Sequence, residues 1–404
     1  MKKTLAILLG GVMAFSLAAC GEEEQPAGKT NDEKAIELVD FTVEVDAKRD
    51  PVVLQLTDPQ IIDAAQARPG RDGVDKTLCA TDKVEENCYQ YIRETVQQTN
   101  PDLIIITGDI VYGEFDDAGT ALTGFIEFME GFDIPWAPVF GNHDNESTKG
   151  ADWQCQQFEN AENCLFEQKE LTGNGNYSVG IVQGGKLKRV FYMLDSNGCS
   201  NVSQESMLNG HTKAGAGFNG DQIEWYTQQI TEIKELSADT KISFAYHIQQ
   251  AIFADAYAQY GFINYDTINH PINIDLIADK AAGDFGYIGR DLKSAWDTTY
   301  SVFEGMQALG IDSIFVGHEH CNSASVVYGG IRFQYGQKSS TYDRANYFNE
   351  ETGEITGSYS KPAGTVPMIG GTVIPLSKTD GSIKDPYIYL CENAGGDIDW
   401  NDWM

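Results

Sequence analysis

Five short apolar runs in this chain each end in a residue with a metal-binding side chain. That repeat narrows the possible folds more than any other feature. Residues 52–57 run into Asp58-Pro59-Gln60, residues 103–107 into Gly108-Asp109, and residues 134–140 into Gly141-Asn142-His143-Asp144. Residues 242–246 run into His247, and residues 311–316 into Gly317-His318-Glu319-His320. Short runs with β-branched members, bounded by glycine and polar residues, read as buried strands. In open α/β sheets ligands collect at the carboxyl ends of such strands. A carboxylate, amide or imidazole at every one of these ends predicts a single shared site. His318 and His320, two positions apart, suit a metal, because neutral imidazole is a good nitrogen ligand near pH 7.

Helical spacing fills the intervals. Residues 88–100 carry Tyr91, Ile92, Thr95 and Val96 at helical spacing and stop at Asn100-Pro101. The resulting strand–helix–strand order predicts a parallel pair joined by a right-handed crossover. Residues 118–131 place Phe125, Phe128 and Met129 on one face, and residues 221–236 do the same with Ile223, Tyr226, Ile230 and Ile233. A further helix is expected over 291–309. Strands at 177–182 and 189–195 flank Gly184-Gly185, and a hairpin over 325–334 turns at Gly329-Gly330. Residues 64–87 read as an insertion near the site, 149–171 as helix-prone, and 251–288 as aromatic-rich and irregular. The last seventy or so residues look strand-like or loose.

The 404 residues are 42% hydrophobic, enough for a sizeable core, and a net charge of −32 argues against a nucleic-acid partner. Met1-Lys2-Lys3 followed by an apolar run over 4–19 reads as a secretory signal. Its end, Leu17-Ala18-Ala19-Cys20-Gly21, resembles the lipobox of bacterial lipoproteins. The resemblance implies that Cys20 is lipidated and that the chain is extracytoplasmic, anchored to the bacterial membrane. Residues 21–45 are expected to form a flexible tether, polar over 22–34, ahead of one domain spanning 46–404. Outside the cytoplasm disulfides are permitted. Cys79 with Cys88 and Cys155 with Cys164, each nine positions apart, are expected to pair, each bridge contributing about 2–3 kcal/mol. Cys199, Cys321 and Cys391 stay unassigned.

Taken in order, Asp58-x-Gln60, Gly108-Asp109, Gly141-Asn142-His143-Asp144, His247 and Gly317-His318-x-His320 resemble the calcineurin-like metallophosphoesterases, which include the purple acid phosphatases. The motifs cover about two thirds of the chain. The resemblance implies a four-layer αββα sandwich, two mixed β-sheets flanked by helices, with metals at the strand ends. It implies hydrolysis of a phosphate monoester or diester, with metal-bound hydroxide as nucleophile. The expected cofactors are two divalent or trivalent ions, drawn from Mn, Fe, Zn and Ni. One ion would take Asp58, Gln60, Asp109 and His320; the other would take Asp109, Asn142, His247 and His318. His143 corresponds to the residue that assists the leaving oxygen, with Asp144 holding its ring.

Gln60 departs from the pattern, since many relatives carry His there and an amide is a weaker, neutral ligand. Tyr112 stands three residues past Asp109, where purple acid phosphatases carry a tyrosinate; contact with the site and plain packing are both open. Asp195 reads as a structural turn, and His211 and His270 lack motif support. The expected substrate is a phosphorylated small molecule or lipid. The alternative is a non-catalytic surface lipoprotein of the same fold that binds a phosphorylated ligand, a reading supported by Gln60 alone.

Overall fold

The computed structural model describes residues 28–63, 65–66, 84–198, 217–260, 275–279, 283–288, 301–358 and 361–392. Among them, nine strands form one mixed sheet. In spatial order it begins with β1 (Phe41–Glu44), β5 (Tyr177–Gln183), β6 (Lys186–Met193), β7 (Lys241–Ala245) and β10 (Ile311–Val316). It continues through β12 (Ile331–Tyr335), β11 (Asn322–Tyr328), β9 (Asp284–Ile288) and β8 (Asp275–Asp279). A second mixed sheet runs β17 (Tyr387–Leu390), β16 (Gly370–Pro375), β2 (Val52–Leu56), β3 (Leu103–Ile106), β4 (Trp136–Pro138). A small antiparallel sheet holds β13 (Ala345–Asn349) between β14 (Ile355–Ser358) and β15 (Thr365–Pro367).

Among the described residues seven helices join these strands: α1 (Asn31–Leu38), α2 (Val84–Thr99), α3 (Thr120–Glu130), α4 (Ala151–Asn160), α5 (Gly220–Leu236), α6 (Ile252–Ala258) and α7 (Ser301–Leu309). Helix α2 connects β2 to β3, which pair in parallel from Val53 with Leu103 to Leu56 with Ile106, the crossover that the spacing predicts. Its buried positions Cys88, Ile92, Thr95, Val96 and Thr99 recur at three and four residues, one face of a helix.

The large sheet is a divider, and its alternation sets the layers. Along β6, Phe191 and Met193 enter the core between the sheets, while Val190 and Tyr192 enter the core under α1, α5, α6 and α7. Phe315 on β10 and Ala245 on β7 follow the first face; Ile314 and Phe244 follow the second. The inter-sheet core continues through the smaller sheet to α2, α3 and α4. Each large apolar side chain fully buried here contributes about 1.5–3 kcal/mol. Helices outside two mixed sheets give the four-layer α/β architecture expected from the motifs.

Three expectations change. The described part of the stretch 21–45 is not a tether: α1 starts at Asn31 and β1 pairs in parallel with β5, Phe41 with Val179. Thr30 and Glu33 close a capping box, and Ala35 and Val39 are buried against the large sheet. The folded unit therefore begins ahead of residue 46. Residues 251–288 are less irregular than their composition suggests, since they contain α6 and the β8–β9 hairpin.

The third change concerns the cysteines. Cys155 and Cys164 form no disulfide: Cys155 lies on the buried face of α4, and its thiol donates to Gln168 Oε1 (3.3 Å). Burial pushes that thiol well above its ordinary pKa, as it does Cys391. Cys20, Cys79, Cys199, His211 and His270 lie outside the described residues, and so does most of the insertion at 64–87. No described helix is long and apolar enough to cross a membrane.

Candidate metal centre

The ends of β2, β3, β4, β7 and β10 meet where the two sheets face each other. Beyond β2 and β3 the backbone stays paired, with Asp58 N donating to Gly108 O (3.1 Å) and Gln60 N to Asp109 O (2.9 Å). Gly317 N donates to His247 O (3.1 Å), which keeps β7 and β10 in step. Asp58, Gln60, Asp109 and His318 all have φ between 48° and 72°. Non-glycine residues rarely take this left-handed conformation, and its strain concentrates where function holds it. Here it ends each strand and turns the side chain back into the site.

Two glycines make room for the carboxylates. A Cβ on Gly141 would stand 2.2 Å from Asp109 Oδ1, and one on Gly317 would stand 2.1 Å from Thr57 Oγ1 and 2.8 Å from Asp58 Oδ2. Gly317→Ala should therefore cost about 1–3 kcal/mol in overpacking and displace Asp58. Gly305→Ala, exposed on α7 with open space around it, should stabilise the fold by up to about 1 kcal/mol. Thermal melts of the two variants check the contrast; equal melting temperatures would refute the crowding argument.

The side chains converge as the motifs predict. Asp58, Asp109 and His320 offer ligand atoms within 4.8 Å of one another. His320 Nε2 lies 3.2 Å from Asp58 Oδ1, and His247 Nε2 lies 3.3 Å from Asp109 Oδ2. Asn142 Oδ1 lies 3.0 Å from His247 Nε2 and 2.8 Å from His318 Nδ1. Asp58 Oδ1 and Asp109 Oδ2 are buried yet make no hydrogen bond. Nδ1 of His247 faces Thr107 O at 2.8 Å and so carries a proton in either charge state, which leaves Nε2 turned to two oxygen acceptors. With Nε2 unprotonated, lone pairs aimed at one another in a dry pocket repel, and a proton or a metal ion between them reverses the sign. The donor set fits metal ions.

The remaining carboxylate oxygens are fixed. Asp58 Oδ2 accepts from Thr57 Oγ1 (2.7 Å) and His318 N (3.1 Å), and Asp109 Oδ1 accepts from His143 N (2.8 Å). Burial alone would raise the Asp58 carboxyl, but His320 and His247 hold it far below the ordinary range. Asp109 is likewise held down at about 2 by His247 and His143 against its burial. His318 goes the other way: burial and the charge of His247 push it down to about 3.

Two expectations about individual roles change here. Asp144 does not touch the His143 ring; its carboxylate accepts from Gly141 N (2.7 Å) and Val111 N (3.0 Å) and pins the loop. The ring partner is Glu146, whose Oε2 lies 2.8 Å from His143 Nδ1. Gln60 is brought beside Asp58, but its Oε1 accepts from Lys338 Nζ (2.8 Å) and its Nε2 is buried without a hydrogen bond. The oxygen expected to face an ion faces an ammonium.

Tyr112 packs flat on the His143 ring, centroids 4.2 Å apart, with Phe115 and Tyr342 beside it. Asp195 is structural, accepting from Asn174 N and Asn197 N (2.8 Å each). Lys338, Asp343 and Glu146 were not singled out by the sequence. Asp343 Oδ2 lies 3.1 Å from His320 Nδ1 and orients that ring. A signal was present: β12 is another apolar run ending in polar residues, Gln337-Lys338-Ser339-Ser340.

Without metal, protons supply part of the positive charge. Burial would depress His247 and His143, but Asp109 outweighs it, with Glu146 helping at His143, and holds them at about 10 and about 9. A raised folded pKa stabilises below the unfolded value, 6.5, and that stability is lost as pH climbs through the folded values. His318 acts oppositely, below 6.5. Metal-free protein should thus melt at a lower temperature at pH 9 than at pH 6.5. Excess Mn²⁺ should raise the melting temperature more at pH 9, because ion binding displaces those protons. A metal-free melting temperature that climbs over this interval would contradict the assignment.

Residues 51–322 match the sequence model of a family described as calcineurin-like phosphoesterase. Phosphatase DCR2 of Saccharomyces cerevisiae is 22% identical over 246 residues, 59% of this chain and 39% of its own. Probable inactive purple acid phosphatase 29 of Arabidopsis thaliana is 25% identical over 265 residues, 62% of each chain. The chain spans less than half the length of an uncharacterized Schizosaccharomyces pombe protein that it also matches, 43% at 22% identity over 56% of this chain. Among solved structures, a dimetal phosphatase from Danio rerio aligns over 84% of this chain and 98% of its own, at 12% identity and a TM-score of 0.41.

Proposed function

The chain belongs to the calcineurin-like phosphoesterase family, and from that membership we propose that it is a metal-dependent hydrolase of phosphate monoesters or diesters. The observation that carries the reading is the pair of buried carboxylate oxygens, Asp58 Oδ1 and Asp109 Oδ2, that face imidazole nitrogens without a hydrogen bond. Asp58, Asp109 and His320 would hold one ion, and Asp109, Asn142, His247 and His318 the other. Two divalent ions bound there would activate water as a nucleophile near neutral pH and neutralise the phosphoryl oxygens.

The chain's own groups do the rest. Asp109 spans both halves, one oxygen fixed by His143 N and the other turned toward His247. His143 is mostly buried, with its ring held by Glu146 at Nδ1 and stacked on Tyr112. With Nδ1 committed to Glu146, a proton for the departing oxygen passes through Nε2. The signal-like segment 1–20 and the lipobox residue Cys20 support an extracytoplasmic, membrane-tethered setting, with a phosphorylated small molecule or lipid as substrate.

Chelator-treated protein should fail to hydrolyse p-nitrophenyl phosphate and bis(p-nitrophenyl) phosphate, and Mn²⁺ or Zn²⁺ should restore hydrolysis of at least one. The other reading, a non-catalytic lipoprotein that binds a phosphorylated ligand, draws on the engagement of Gln60 by Lys338. Metal-loaded protein inert toward both esters would favour it.

A further inference from the structure

Lys338 is only 1% exposed, and its backbone ties the two sheets together beside the site. It bridges Thr57 in parallel, Ser339 N donates to Thr57 O (3.0 Å), and Gly370 N donates to Lys338 O (3.1 Å). This register delivers Nζ to Asp58 O (3.1 Å) and Gln60 Oε1 (2.8 Å). An uncompensated buried ammonium is costly. The carboxylates that compensate it are Asp58, Asp343 and Asp109, two of which belong to the Asp58–Asp109–His320 cluster. Negative charge that holds Lys338 is not available to hold an ion. The effect is one-sided: both oxygens that Nζ contacts, Asp58 O and Gln60 Oε1, lie on the Asp58–His320 side, and among the described residues no hydrogen bond or ion pair joins it to Asn142, His247 or His318.

We propose that Lys338 is a resident positive charge that makes the two halves of the centre unequal. The half built on Asn142, His247 and His318 takes its ion tightly. The half built on Asp58 and His320, where the ammonium already engages the Gln60 amide, takes its ion weakly. At limiting metal the chain carries one ion, and a second enters only at higher concentration. The inference rests on the metal-centre reading above and adds what sets its stoichiometry.

Calorimetric titration of metal-free, full-length chain with Mn²⁺ alone tests it. Wild type should show two classes of site at least about tenfold apart in Kd. Lys338→Met should tighten the weak class by about 10- to 100-fold, the range in which groups behind the ligands act, and leave the tight class unchanged. Gln60→Glu, which neutralises the ammonium without removing it, should shift the weak class in the same direction and guards against misfolding of the first variant. His247→Ala should remove the tight class. Two equal classes in wild type would overturn the inference, and so would a weak class that weakens or stays fixed in folded Lys338→Met. Absence of any Mn²⁺ binding would instead remove the metal-centre reading, and the inference with it.

Discussion

Asp109→Asn should reduce turnover of p-nitrophenyl phosphate by about three orders of magnitude and strip the protein of at least one ion. The variant is nearly isosteric, so the effect isolates charge and hydrogen-bonding polarity. Asp109 Oδ1 accepts from His143 N, so the amide oxygen must stay on that side. Its NH₂ then takes the place of Oδ2, 3.3 Å from His247 Nε2, and a donor replaces an anionic ligand. Losing several kcal/mol of charge stabilisation in the transition state gives a loss of this size at 1.36 kcal/mol per decade. Metal analysis and initial rates on the same preparation decide the matter. Wild-type turnover with wild-type metal content would end the hydrolase proposal.

His143→Ala should lower kcat by about 10²–10⁴-fold, the usual contribution of a positioned acid, with metal content unchanged. Because the ring acts on the leaving oxygen, the loss should be largest for alkyl phosphates and smallest for p-nitrophenyl phosphate, whose leaving group departs without a proton. Glu146→Gln should show a weaker form of the same dependence, since its carboxylate only orients the ring. Asp144→Asn should instead loosen the loop through Gly141 N and Val111 N and show no dependence on leaving group. An equal loss of rate on both ester types in His143→Ala would mean that His143 does not protonate the leaving group.

The convergence of the strand-end residues was legible because a local rule delivers them: an apolar run buries a strand, and the residues that follow turn out at its carboxyl end. Asp58, Asp109, Asn142, His247, His318 and His320 all follow that rule, and so did the layer order. The partners of those residues follow no local rule. Lys338 reaches Gln60 across 278 positions, and Asp343 reaches His320 only after β11 and β12 have folded. Glu146 lies three residues past His143 on a short turn, but Asp144, adjacent in sequence, offers the same carboxylate. The capping box at Thr30-Asn31-Asp32-Glu33 was also written in the chain, masked by an otherwise polar composition. The pairing of Cys155 with Cys164 fails because equal spacing does not report burial. Cys155 lies on the inward side of a helix, where packing rather than a crosslink fixes it.

The strand that presents Asp58 has its neighbour on one side supplied from far downstream, since β16 pairs antiparallel with β2 from Thr372 with Gln55 to Pro375 with Val52. The stretch matching the family ends at residue 322. A shortened chain cut there would leave β2 with a naked hydrogen-bonding edge, the kind of surface that recruits other chains into aggregates. Anyone trimming this protein for expression must therefore keep the polypeptide through β17, well beyond its last recognisable motif.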